Sequence, residues 1–303
     1  MSIENENGNC AKPMLGSGVG ELSVLSLFDG MSCGQIALER AELRVKKYYA
    51  SEIDKYAIQV TQQNYPNTIQ LGDITKVKGL TDINLLIGGS PCQGLSLAAH
   101  INLGERKNLE DERSKLFFEF VRIKKEINPK WFLLENVKMD AQSIRLFSEY
   151  MECEPIEINS IHFVPQKRKR LYWTNIPIFK ELPIPNTHAH DILDLKQGEF
   201  ASMCDEKRLF KKIDIFNTLT ASYYKGIRGA RRPAVSNKIC TLDEDRLAHR
   251  MLTPTECERL QSVPVGYTDV VSKTQRYKML GNGWTVDVIA FILSNLKTGN
   301  TCT

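Results

Sequence analysis

The chain has 303 residues, 42% hydrophobic and 25% charged, with a net charge of +4; this fits an ordinary globular protein that could meet a polyanion without requiring one. Its eight cysteines, at 10, 33, 92, 153, 204, 240, 257 and 302, include no Cys-x-x-Cys pair, which excludes the common zinc spacings and suits a reducing compartment. No apolar run reaches the roughly 18 residues of a membrane span, and the polar, acidic N-terminus is unlike a signal peptide.

Residues 1–21 are rich in Asn, Gly and Ser and read as a flexible arm. From Leu22 short apolar runs alternate with helical patterns. Strands are predicted at 22–28, 47–51, 83–87, 131–134, 156–161 and 171–174, and helices at 35–40, 55–64 and 114–127. Such alternation implies βαβ units, hence an α/β fold with a largely parallel sheet. Beyond Pro177, up to about Arg250, prolines and basic residues replace clear periodicity. Thr253-Pro254-Thr255-Glu256 then opens a helix, with proline in the first turn and acids at its positive end. A last apolar helix is predicted over 285–296, and no internal repeat is present.

Cys92 stands in Gly88-Gly89-Ser90-Pro91-Cys92-Gln93, directly after an apolar strand. Ligands of α/β proteins bind at such strand ends, and proline stiffens the turn, so the thiol reads as a nucleophile. A small buried residue is the plainer alternative. The first strand ends in Phe28-Asp29-Gly30-Met31-Ser32-Cys33-Gly34, where glycines let backbone approach a ligand. The spacing departs from G-x-G-x-x-G. Glu52, in Ser51-Glu52-Ile53-Asp54, ends the second strand, where an acid commonly accepts hydrogen bonds from ribose hydroxyls. Asp73, in Leu71-Gly72-Asp73-Ile74, follows the next short strand and could meet an adenine amino group. Together these favour an adenosine-containing cofactor, without separating NAD from S-adenosylmethionine. Glu135, in Leu133-Leu134-Glu135-Asn136-Val137, should lie beside Cys92 on the same sheet edge, where an apolar setting would let it serve as an acid. Gln166-Lys167-Arg168-Lys169-Arg170 alternates into a strand, so Gln166, Arg168 and Arg170 share one face. His188 and His190 form a His-x-His pair with no evident third ligand, which argues against a metal.

Taken together, these residues resemble the cytosine C5 methyltransferases. The 28–34 loop resembles that family's cofactor loop, Pro91-Cys92-Gln93 its nucleophile motif and Glu135-Asn136-Val137 its Glu-Asn-Val motif. Gln166-x-Arg168-x-Arg170 and Gly281-Asn282-Gly283-Trp284-Thr285-Val286 resemble two later motifs, and all stand in family order between about Leu22 and Leu296. The wording around Ser26–Gly30, 263–269 and Trp284 is similar to the animal de novo enzymes. The chain carries no accessory reader domain, so a compact bacterial or phage enzyme is expected.

The resemblance implies a Rossmann-like methyltransferase fold with a smaller target-recognition region. It divides the chain into a catalytic and cofactor domain at 22–177, a recognition region at 178–250 and a return to the catalytic domain at 251–303. It implies S-adenosyl-L-methionine as cofactor, S-adenosyl-L-homocysteine as product, and no metal. The cofactor would be bound by Phe28, Asp29, Gly30, Ser32, Cys33, Gly34, Glu52, Ile53, Asp73, Ile74, Ser90, Pro91, Asn282 and Trp284. Cys92 would attack C6 of cytosine, Glu135 would stabilise or protonate N3 and bind the exocyclic amine, Arg170 would hold the O2 side, and Arg168 would support the site or its loop. Double-stranded DNA would be contacted by Ser96, Arg106 and Lys107, on a loop hinged at Gly94 and Gly104, and by Arg228, Arg231 and Arg232. A monomer in the cytoplasm of a bacterial or phage-infected host is implied, with a cognate restriction endonuclease as one candidate partner. The same chemistry on transfer RNA, an inactive DNA-binding paralogue and a nicotinamide oxidoreductase are the competing readings. Gln93-Gly94-Leu95-Ser96, the retained Cys92 and Glu135, and the missing third glycine argue against them in turn.

Overall fold

All six residues of β1 (Leu22–Leu27) are buried, as expected of a central strand covered on both faces. Its side chains alternate between two cores: Leu22 and Val24 join one, Leu25 and Leu27 the other. β4 (Leu85–Gly89) and β5 (Trp131–Val137) repeat the pattern, with Ile87 and Leu133 on the first side and Leu86 and Leu134 on the second. The computed structural model describes residues 19–90, 112–196, 199–204, 210–225, 233–240 and 245–297.

β2 (Val45–Ser51) and β3 (Ile69–Gln70) extend the sheet on one side of β1. β8 (Lys169–Thr174) and β6 (Ile156–Asn159) complete it on the other, giving the order β3-β2-β1-β4-β5-β8-β6. The pairs β1–β2, β2–β3, β1–β4 and β4–β5 are parallel, whereas β8 runs antiparallel to β5 and β6. The α/β, mostly parallel sheet is therefore as expected. From β1 the chain winds first toward β2 and β3, then crosses back to β4. The switch point lies between β1 and β4, where ligands of such sheets bind beyond the carboxyl ends.

Helices α1 (Cys33–Arg40) and α2 (Lys55–Asn64) follow β1 and β2. Across the sheet, α3 (Glu112–Ile127) and α4 (Ala141–Met151) build an aromatic core. There Phe117 stacks on Phe147 at 3.7 Å between centroids, and Phe147 meets Trp173 at 5.2 Å. Sequence reasoning missed α4, although Asp140 caps it by accepting from the Gln142 and Ser143 amides. It also missed a second sheet between residues 199 and 250. There β9 (Glu199–Cys204), β10 (Phe210–Lys212), β12 (Pro233–Cys240) and β13 (Asp245–Arg250) pair antiparallel in the order β10-β9-β12-β13. β7 (Gln166–Lys167) and β11 (Phe216–Asn217) form a separate short pair.

Helix α5 (Pro254–Leu260) opens with a capping box between Thr253 and Glu256. Glu256 is fully buried and takes both terminal nitrogens of Arg250, at 2.8 and 3.0 Å, fastening this helix to the end of β13. α6 (Lys273–Asn282) and α7 (Val286–Ser294) follow. By length and composition, Lys273–Lys297 could cross a membrane, contrary to expectation from the sequence; but 67% of its most apolar window is buried within the protein, and α6 stops at Asn282 before α7 begins. That is the pattern of core helices.

Candidate active site

The loop after β1 is held in an unusual backbone. Phe28, Gly30 and Ser32 all lie in the left-handed region, at φ 56°, 58° and 58°. Two of the three carry side chains, so neighbouring structure must enforce the conformation. The Asp29 carboxylate accepts from the Ser32 hydroxyl and, at 2.7 Å, from the Tyr48 hydroxyl. Thr61 of α2 reaches Ser32 Oγ at 3.2 Å, and the Tyr267 hydroxyl donates to the Met31 carbonyl at 2.7 Å. Burial pushes the Asp29 carboxyl up to about 6, against the downward pull of the Ser32 and Tyr48 hydroxyls. Asp29, Ser32 and Cys33 thus turn their side chains inward, and burial pushes the Cys33 thiol up to about 12. Such a thiol is inert at neutral pH. Contact from this loop to a ligand would come from its backbone and from the half-buried Phe28.

At the end of β2, Glu52 accepts from the Gly30, Ile53 and Asp54 amides at 2.7–2.8 Å. Ile53 beside it is 77% exposed, an apolar side chain presented at the sheet edge. Asp73 caps the turn at Ile74–Lys76, and hydrogen bonds from the Thr75 amide and hydroxyl hold its carboxyl below the usual range. Ile74 is buried in the second core and points away from this edge.

Ser90, Glu135 and Asn136 meet at the ends of β4 and β5. Glu135 Oε1 pairs with Arg170 Nε at 3.0 Å, and Oε2 accepts from the Trp284 indole at 3.1 Å. The carboxylate is mostly buried but not in the apolar setting expected; a guanidinium and an indole N–H flank it. Asn136 is buried and donates to Ser90 Oγ at 2.9 Å, fixing the residue before Pro91-Cys92. The sequence displayed Asn136 within a motif without revealing this task.

The expected alternation from Gln166 to Arg170 is present. Gln166 and Arg168 are buried, Lys167 and Lys169 exposed. The face is nonetheless divided in its use. Gln166 accepts from the Leu219 amide and donates to the Leu260 carbonyl. Arg168 donates to the carbonyls of Leu219 and Gly283 at 2.8 Å and, at longer range, to that of Gly281. Burial lowers its guanidinium to about 10. Arg170 alone of the three reaches Glu135. Asn282 is exposed and Trp284 half-buried at the start of the C-terminal return.

Pro91, Cys92, Ser96, Arg106, Lys107, Arg228, Arg231 and Arg232 lie outside the described residues. His188 and His190 stack ring on ring, and their nitrogens go to Asp214 at 2.7 Å and Asp191 at 3.0 Å. Tyr48, Thr61 and Tyr267, which brace the loop, carried no local signal, because each meets it from a distant element.

The profile of a family described as C-5 cytosine-specific DNA methylase matches residues 22–145 and 186–298. Type II methyltransferase M1.ScrFI of Lactococcus lactis subsp. cremoris is 29% identical over 317 residues, spanning 90% of this chain and 77% of that protein. Type II methyltransferase M.NlaX of Neisseria lactamica is 28% identical over 320 residues, spanning 90% and 96%. Among solved structures, the Entamoeba histolytica methyltransferase EhMeth superposes with a TM-score of 0.67 at 18% identity, covering 92% of this chain and 98% of that one, a likeness of fold. With its motifs in order along a match that takes in most of the sequence, the chain belongs to the C-5 cytosine-specific DNA methylase family.

Proposed function

We propose that this protein transfers a methyl group to C5 of a cytosine in double-stranded DNA, with S-adenosyl-L-methionine as donor and S-adenosyl-L-homocysteine as product. The observation that carries the reading is the Glu135–Arg170 pair at the end of β5. Gly89 of β4 pairs in register with Glu135, and Cys92 follows Gly89 by three residues in the chain. A thiol and a guanidinium-paired carboxylate therefore belong to adjoining strand ends, next to the switch point.

The cofactor is held, in this reading, by the 28–34 loop, Glu52, Ile53, Asp73 and the return at Asn282 and Trp284. Fit is supported by the exposed Ile53, apolar as a purine face requires, and by the adjoining Glu52 carboxylate, which suits ribose hydroxyls. When bound, the cofactor supplies the methyl group that C5 takes up.

Cytosine C5 is a poor nucleophile within the aromatic ring. The Cys92 thiolate forms a bond to C6, which breaks the aromaticity and moves electron density to C5. Glu135 gives a proton to N3 and accepts from the exocyclic amine, and Arg170 faces O2, so preplaced groups meet the developing charge. Loss of the C5 proton, with breakage of the S–C6 bond, frees Cys92 and restores the ring. Arg168 acts at one remove, by holding the return loop. A stacked base cannot reach these groups, so the cytosine leaves the duplex, at about a few kcal/mol. The bacterial and phage relatives support a cytoplasmic setting in a bacterium or a phage-infected host.

Incubation with methyl-labelled cofactor and duplex DNA, with RNA in parallel, tests the reading. Label enters DNA; absence from DNA refutes the proposal, and label in RNA alone moves the activity to RNA. DNA containing 5-fluorocytosine forms a denaturation-resistant adduct, because C5 has no proton to release. Persistence of that adduct in Cys92→Ser would show the nucleophile to be another residue.

A further inference from the structure

Both oxygens of Glu135 are held by donors from different parts of the chain: Arg170 Nε on β8 and the Trp284 indole N–H just before α7. A carboxylate offers about four acceptor positions, so two remain for a ligand. The indole is itself delivered by pinned backbone. Arg168 holds the Gly283 carbonyl at 2.8 Å, and the Thr285 hydroxyl donates to Gln261 Oε1 at 2.9 Å. On either side of Trp284, then, the chain has little freedom.

The indole also stands where the cofactor and base sites adjoin. A Cβ on Gly89 would lie 2.8 Å from Trp284 Nε1 and 3.0 Å from Glu135 Oε2, so the bare glycine is what lets the indole approach the carboxylate. A Cβ on Gly34, in the loop assigned to the cofactor, would meet the far edge of the same ring at 3.7 Å. One rigid bicycle therefore lies beside the glycine loop at one end and bonds Glu135 at the other.

We infer that Trp284 is a positioning residue, whose N–H fixes the Glu135 carboxylate and whose ring makes that position respond to occupancy of the cofactor loop. The inference rests on the proposed methyl transfer for its kinetic consequence, but not for the contact itself. Binding at the loop shifts the ring, the ring carries the hydrogen bond, and Glu135 is aligned for cytosine when the donor is in place.

Two measurements test this on the full-length protein. In the first, residue 284 is replaced by 3-benzothienylalanine, which keeps the bicycle and removes the N–H. Loss of a hydrogen bond to a charged group predicts kcat lower by roughly tenfold to a hundredfold. Cofactor KM stays within about threefold, since ring packing is retained. An unchanged kcat overturns the inference. In the second, the protein carries 5-fluorotryptophan, and the Trp284 resonance is identified by its loss in Trp284→Phe. Glu135→Gln, without ligand, moves that resonance and leaves those of Trp131 and Trp173 in place, and S-adenosyl-L-homocysteine moves it in the unmutated protein. A Trp284 resonance that ignores either perturbation overturns the inference. If the unmutated protein labels no DNA, the proposed function falls while the Glu135→Gln shift still decides the contact.

Discussion

Gly281 lies in α6 against the turn Ala221–Lys225, and replacing it with alanine should strike at the join between that turn and the C-terminal helices. An added Cβ would fall deep inside contact distance of the Thr220 carbonyl carbon and oxygen and the Ala221 nitrogen. These are backbone atoms, so no rotamer change relieves the clash. The turn cannot easily withdraw either. Tyr223 is fully buried, with its hydroxyl accepting from the Leu252 amide at 2.7 Å, and Arg168 ties Leu219 to the return loop. Overpacking in a core costs typically about 1–3 kcal/mol, and an obstacle made of pinned backbone places Gly281→Ala at the upper end, about 3 kcal/mol. At about 2.1 cal/mol/K per residue, unfolding 303 residues carries about 0.6 kcal/mol/K of entropy. The melting temperature should therefore fall by about 5 °C, read by scanning calorimetry. Gly20 has open space around its Cβ position and is the control, with Gly20→Ala leaving the melting temperature unchanged. If Gly281→Ala melts with Gly20→Ala, the contact is not rigid and the reasoning fails.

Two further perturbations address the loop and the strand end. The Asp29 carboxyl is raised from 3.8 to about 6, so the folded state keeps a proton that the unfolded state releases. Its contribution to stability is full below about pH 3.8 and is lost as pH rises through 6, about 3 kcal/mol in all. Asp29→Asn removes this slope, and urea titrations of both proteins across that window should diverge accordingly; parallel curves would refute the burial argument. Asn136→Ala, Ser90→Ala and the double variant should show a coupling energy of about 1 kcal/mol in the same titrations, since the pair shares one buried hydrogen bond. Additive losses would mean that the bond does not hold the strand end.

The central strands were legible because each is a short apolar run buried on both faces, as β1, β4 and β5 are. β2 was read two residues short, since its first three residues, Val45, Lys46 and Lys47, are exposed. The second sheet was illegible for a different reason. β9 pairs antiparallel with β12 across the intervening β10 and β11, and no local apolar period marks these strands. The helix α4 was readable in principle from Asp140, but Ser143 and Ser148 interrupt its buried face.

The candidate site divides along the same line. Glu52, Ile53 and Glu135 could be read onto one edge of the sheet because chain order puts the ends of parallel strands there. Arg168 and Arg170 show where that logic stops. They stand two residues apart on one face, and period-two geometry treats them alike. Arg170 lies within β8, which pairs with β5, and its guanidinium reaches Glu135. Arg168 sits between β7 and β8, where the face is covered by carbonyls arriving from 113 and 115 residues further along the chain. A strand's period says which side chains share a face. What covers that face is decided by contacts that no local stretch contains, and here they turn one arginine toward a carboxylate and the other into a clamp.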